Sequence, residues 1–166
     1  MNRVLIVDAS KTMSLHLAEE IKKELDLEVI TSNSLEFTSQ LLHGEKTFQA
    51  AIVDPTLDDD DKGEVVDLLL EYNIPVLIYT SSLKPDLLDA IISKPIVDYA
   101  IKSSRNSTFI IVNSLSQVLR HQQTAILIID DSPSTLILMN LMLENLNLHI
   151  YEADGVDEAL KKIKEH

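Results

Sequence analysis

Four apolar residues, Ala50-Ala51-Ile52-Val53, run straight into Asp54, and the chain then passes through Pro55-Thr56 into the acidic stretch Leu57–Asp61. A continuous apolar run without alternation reads as a strand buried on both faces, the pattern of a parallel sheet covered by helices. Its last residue then stands at the carboxyl edge of the sheet, where open α/β sheets bind their ligands. A carboxylate at that point, just ahead of a loop, is placed to meet solvent and a reactant. Asp54 is therefore the candidate centre of a site.

The same grammar recurs along the chain. Val4–Val7 is a buried-strand run ending in Asp8, and Ser10 or Thr12 caps a helix carried by Met13, Leu17, Ala18, Ile21 and Leu25. Leu27–Ile30 reads as a short strand, Ser34 as the cap of a helix to about Leu42, and Gly44 suits its end. After Ala50–Val53 come a helix over Glu64–Tyr72, a strand over Ile74–Tyr79 ending in Thr80-Ser81-Ser82, and a helix over Leu87–Ile92 opened by Pro85. A fifth strand, Ile96–Ile101, ends in Lys102, and polar Ser103–Asn106 leads into a helix to about His121. Thr108–Val112 is β-branched enough to suggest a strand, but Ile111, Leu115, Val118 and Leu119 continue at helical spacing.

Five strand–helix units with long crossovers give a parallel, right-handed, doubly wound sheet, flavodoxin-like in order 2-1-3-4-5. Beyond the polar joint His121–Thr124 the pattern restarts: Ile126-Leu127-Ile128-Ile129-Asp130-Asp131-Ser132 repeats Val4-Leu5-Ile6-Val7-Asp8-Ala9-Ser10. A helical stripe at Leu136, Met139, Leu143 and Leu146, a strand at Leu148–Tyr151 and a helix at Asp157–Lys164 complete a partial β-α-β-α copy. The expected division is a full domain over 1–121 and an incomplete second copy over 124–166.

Composition excludes several classes. A net charge of −13 argues against a nucleic-acid backbone or an anionic membrane surface as partner. Cysteine is absent, so disulfides and thiolate metal sites are too. Met1-Asn2-Arg3 leads directly into Val4–Val7, too short a run for a signal peptide or a span, and a cytoplasmic protein is expected. With three glycines in the chain and no glycine-rich loop after the first strand, a flavin-carrying enzyme is poorly supported.

In the expected order, strands one, three, four and five deliver Asp8, Asp54, Thr80 and Lys102 to one sheet edge. Two carboxylates, a hydroxyl and an ammonium form a kit for accepting a phosphoryl group. The carboxylates can hold Mg2+, one can serve as nucleophile, and the hydroxyl and ammonium can stabilise phosphoryl oxygens.

At these residues the sequence resembles the receiver domains of two-component response regulators. The resemblance is carried by Val4–Ser10, Ile52-Val53-Asp54, Leu77-Ile78-Tyr79-Thr80-Ser81 and Asp98-Tyr99-Ala100-Ile101-Lys102, and in the second copy by Ile126–Ser132 and Glu152–Ile163. It implies a non-enzymatic switch in which Asp54 takes a phosphoryl group from a histidine kinase or phosphotransfer protein. It further implies that Asp8, Asp54 and the backbone carbonyl of Thr56 hold Mg2+, that Lys102 pairs with the phosphate, that Thr80 swings towards it, and that Tyr99 repacks in response.

Two positions depart from the family pattern: Ala9 stands where a second acid usually follows the first strand, and Ser103 where proline usually follows the lysine. Mg2+ binding is therefore expected to be weak, and a pseudo-receiver that dimerises or docks without phosphorylation is the alternative. The acidic run Asp58–Asp61 reads as a solvated loop. Asp130 and Asp131 supply the full acidic pair in the second copy, but no acceptor counterpart follows them, so that site is expected to be incomplete. A unit of this size seldom supports its own core, so burial against another copy, as a C2 homodimer, or against the first domain is expected. The abrupt end reads as a piece of a longer protein. Tandem receivers of this family often precede an enzymatic domain such as a diguanylate cyclase, whose chemistry no residue here carries.

Overall fold

A computed structural model describes residues 3–44, 47–81, 85–121, 124–143 and 148–165. Met1, Asn2, Ser82, Leu146 and the joint residues Gln122 and Gln123, all named above, lie outside that set. The chain divides into two compact units, Met1–Ser116 and Gln117–His166, with the division falling inside a helix.

The first unit is built from β1 (Arg3–Val7), α1 (Lys11–Glu24), β2 (Glu28–Ser32), α2 (Leu35–Leu42), β3 (Ala50–Val53), α3 (Glu64–Glu71), β4 (Val76–Thr80), α4 (Pro85–Ile92) and β5 (Asp98–Ile101), and α5 (Ser107–His121) begins in it. All pairings are parallel, and the strand order is β2-β1-β3-β4-β5, the flavodoxin-like order read from the sequence. Thr108–Val112 is helical, as its spacing indicated.

The continuous apolar runs are buried on both sides because the pleat sends alternate residues to opposite layers. Leu5, Val7, Ala51, Val53, Val76 and Ile78 join Val65, Val66, Leu69 and Ile91 in one cluster. Val4, Ile6, Ile52 and Leu77, of opposite parity, are just as deeply buried, and α1 packs against β1 and β2. Several strand bounds differ from those expected for local reasons: β5 starts only at Asp98, the Ile96 N–H turning back instead to the Lys94 carbonyl at 2.8 Å. β2 reaches Ser32 because Ser32 continues the ladder opposite Val7. β4 starts only at Val76, because the Ile74 N–H instead closes α3 on the Leu69 carbonyl at 3.1 Å and Pro75 has no N–H to give.

The caps position the loops around the sheet edge. Ser10 and Ser34 cap α1 and α2, with Oγ accepting from Met13 N at 3.4 Å and Phe37 N at 3.1 Å. Gly63 enters α3 at φ +73°, a conformation that L residues rarely adopt, and a Cβ there would come within 3.2 Å of Leu87.

The acidic loop is only partly the solvated stretch that its composition suggests. Asp59 is exposed, yet its carboxylate accepts the backbone N–H groups of Leu35 and Glu36 at 2.9 and 3.0 Å, capping α2 from outside its own sequence. Asp60 is buried and accepts from Lys62, Glu64 and Val65 N–H groups at 3.1, 2.9 and 2.8 Å, capping α3. Helix N-termini carry unpaired N–H groups and partial positive charge, which is why carboxylates settle there. Asp58 and Asp61 are exposed.

The second unit contains β6 (Ala125–Ile129), α6 (Pro133–Leu143), β7 (His149–Ala153) and α7 (Val156–Glu165), with β6 and β7 in a parallel two-stranded sheet. It is the partial second β-α-β-α unit expected. Its α6 is apolar on every side, has no buried residue, and exposes Ile137, Leu138, Leu141 and Met142.

Candidate functional site

Four of the residues singled out by the sequence meet at the carboxyl edge of the first sheet. Asp8 follows β1, Asp54 follows β3, Thr80 ends β4 and Lys102 follows β5. Backbone bonds extend the ladder by one step at each acid and at the lysine. Asp8 N–H donates to Ser32 O at 3.0 Å, Asp54 N–H to Val7 O at 2.8 Å and Lys102 N–H to Thr80 O at 2.7 Å. The sheet itself therefore fixes the roots of these side chains.

Lys102 Nζ lies 2.6 Å from Asp8 Oδ2 and 2.7 Å from Asp54 Oδ2, with all three side chains no more than 10% exposed. The other oxygens are also engaged. Asp8 Oδ1 accepts the Ser10 N–H at 2.8 Å, and Asp54 Oδ1 accepts the Thr56 N–H at 3.0 Å and the Thr80 hydroxyl at 2.9 Å. Burial pulls the Lys102 ammonium down, but the hydrogen bonds and charges of Asp54 and Asp8 outweigh it and hold the group above its ordinary value. The lysine is fully charged at neutral pH. One ammonium between two carboxylates leaves the cluster formally anionic by one charge.

Behind it, the Lys102 ammonium stands 5.6 Å from the centroid of the Tyr79 ring. The Tyr79 hydroxyl hydrogen-bonds to Ser107 Oγ at 3.2 Å and Thr108 Oγ1 at 3.0 Å, and Ser107 Oγ donates to the Lys102 carbonyl at 3.1 Å. Tyr79, Ser107 and Thr108 were not anticipated as part of the site. Ser103 does not displace Lys102 from the cluster.

Tyr99 is not in this pocket: it sits on edge strand β5, half exposed. Thr56 reaches Asp54 through its N–H. In the second unit, Asp130 repeats the local turn of Asp8, its Oδ1 accepting the Ser132 N–H at 2.9 Å, while Asp131 is exposed.

The donor set can be tested against a divalent cation. Mg2+ needs near-octahedral oxygen coordination at about 2.0–2.1 Å. Both inward carboxylate oxygens are already bound by the Lys102 ammonium. Ala9 offers no ligand, and Asp59 and Asp60 are committed to helix caps. Among the described residues no group of three acids or histidines is gathered that could hold a metal. In this arrangement the residues do not fit the ion. No helix among the described residues is long and apolar enough to cross a membrane.

No family model matches the sequence, and no curated protein matches it either. Solved structures do. One, described as a putative two-component system response regulator/GGDEF domain protein, is 30% identical, with all of this chain aligned to 67% of that one at a TM-score of 0.75. A probable two-component system response regulator/GGDEF domain protein is 31% identical, with the same coverage and a TM-score of 0.76. The response regulator receiver protein from Pseudoalteromonas atlantica shares the fold, at 18% identity over 71% of this chain and 97% of that one, with a TM-score of 0.59. Receivers are typically non-enzymatic signalling modules, and their acidic pocket generally binds Mg2+. Identity and coverage together with the sheet order lead to one assignment: this chain belongs to the two-component response regulators, and its five-stranded unit is a receiver domain.

Proposed function

We propose that the five-stranded unit accepts a phosphoryl group on Asp54 from a histidine kinase or a phosphotransfer protein. The observation that supports this best is the placement of Asp54 at the end of a central strand, between a buried ammonium and a buried hydroxyl. In the reaction, an Asp54 carboxylate oxygen attacks phosphorus, the bond from phosphorus to the donor nitrogen breaks, and an acyl phosphate forms while the donor imidazole leaves. Lys102 and the Thr80 hydroxyl are placed to meet the transferred oxygens, whose charge they offset in a water-poor pocket. The family fold implies two-component signalling as the context.

A second reading has its own support. Every carboxylate oxygen in the pocket already has a partner within the chain, and Ala9 removes the usual third acid. A pseudo-receiver, docking without being phosphorylated, fits those facts. Intact-mass spectrometry after incubation with acetyl phosphate decides between them. A gain of about 80 Da that Asp54→Asn abolishes establishes the acceptor. An unchanged mass in a folded sample rejects it in favour of the docking module.

The proposed domain limits follow the repeat, with a receiver over 1–121 and the first half of another over 124–166. The exposed apolar α6 supports association between copies of this chain through the second unit.

A further inference from the structure

We propose that in this receiver the ammonium of Lys102 takes the place of the divalent cation, so that the resting pocket neither binds nor responds to Mg2+. The inference shares the identification of the pocket with the reading above but does not depend on phosphorylation.

Three observations carry it. The first is where the lysine sits. Its ammonium bridges the two inward carboxylate oxygens at 2.6 and 2.7 Å, the position from which a cation would have to bind both acids. A metal at about 2.0–2.1 Å from the same oxygens has to displace it. The second is how firmly the lysine is held. Its backbone is bonded on both sides, by Thr80 O and Ser107 Oγ, and its charge faces the Tyr79 ring. Displacing it would give up two charge-assisted hydrogen bonds and leave a buried ammonium to find new partners.

The third is the lack of compensation. A third acid in the pocket would leave it anionic by two charges with Lys102 in place, a field that draws a divalent ion. Ala9 lowers that excess to one. Two acids of the following loop are already committed, the Asp59 carboxylate closing α2 and the Asp60 carboxylate closing α3.

The test uses the full chain. Thermal unfolding is followed by circular dichroism in EDTA and in 10 mM MgCl2, at ionic strength matched with NaCl, for the wild type and for Ala9→Asp. The wild-type midpoint is expected to stay within about 1 °C, whereas Ala9→Asp gains about 4 °C in Mg2+. Binding is counted separately by electron paramagnetic resonance of Mn2+. The free-ion signal should be undiminished by the wild type and reduced, to one ion per chain, by Ala9→Asp. Wild-type protein that binds one Mn2+ or is stabilised by Mg2+ overturns the proposal, whatever the variant does. A folded Ala9→Asp protein that ignores both ions overturns it as well, since the missing carboxylate would then not set the preference. The acetyl phosphate adduct is a different readout: its absence would end the phosphoacceptor reading and leave the metal result standing.

Discussion

Replacing Lys102 by methionine keeps most of the side-chain volume and removes the charge. Asp8 and Asp54 then face each other across a pocket in which both are nearly buried, at 8% and 10% side-chain exposure, with no counter-ion. Breaking a buried ion pair by deleting one partner costs about 3–5 kcal/mol, because the remaining charge is left desolvated. For a chain of this size that corresponds to a fall in Tm of roughly 10–15 °C. The sign of the pH dependence follows. Two carboxylates sharing a site push one proton affinity up, so the folded variant binds a proton more readily than its unfolded chain. Its deficit should therefore shrink as pH falls from about 7 to 5. In the wild type the Lys102 contribution runs the other way. The folded ammonium titrates above its ordinary value of 10.5, so its stabilisation is complete at neutral pH and is lost only as pH rises through that higher value. Thermal melts of the wild type and of Lys102→Met at several pH values, acidic and alkaline, measure both effects, and adding Asp54→Asn to the variant should restore about half of the loss by removing one of the repelling charges. A Lys102→Met protein that melts within about 3 °C of wild type at pH 7, with no change towards pH 5, would refute the reasoning.

The Asp59 cap and the second unit give the remaining expectations. Asp59→Ala should lower stability by about 1 kcal/mol, since two α2 N–H groups lose their acceptor. Those same N–H groups of Leu35 and Glu36 hold the Asp59 carboxyl below its ordinary value of 3.8. Its contribution is therefore present above that value and fades as pH falls through the lower folded one, so denaturant titrations of variant and wild type should converge in strong acid. A gap that persists unchanged there would show that the carboxylate is not the cap. Sedimentation velocity at micromolar concentration should show a dimer, and Leu141→Glu with Met142→Glu should dissociate it; a wild-type monomer would count against association through the exposed apolar face of α6.

Much of this was legible from residue order alone. Apolar runs that end in Asp8, Asp54, Thr80 and Lys102 specify buried parallel strands, and strand order then brings those four ends together. The caps at Ser10 and Ser34 were legible because their acceptors serve N–H groups three residues away. Asp59 was not, because the N–H groups it serves lie 23 and 24 residues earlier, and a run of four acids looks the same whether it caps helices or meets water. Tyr79 escaped for a related reason: an aromatic residue in a buried strand reads as packing, and only the start of α5 supplies the hydroxyls that bind its own. The one signal available in advance was the cluster Ser103–Thr108, polar enough to serve as more than a helix start.

The contact between Lys102 and Asp8 joins residues 94 positions apart, and that separation has a kinetic meaning. β1 and β3 are neighbours in the sheet, with Val7 opposite Val53, so pairing them brings Asp8 and Asp54 to the same edge early. The charge that reconciles them arrives only when β5, the edge strand, docks on β4. Contacts closed over the longest loops tend to form late, after the main folding barrier. Interactions of that kind alter the rate of unfolding far more than the rate of folding. The lysine thus governs how long the native receiver persists rather than how fast it assembles, and its loss should appear in a chevron plot as a raised unfolding arm beside a nearly unmoved folding arm.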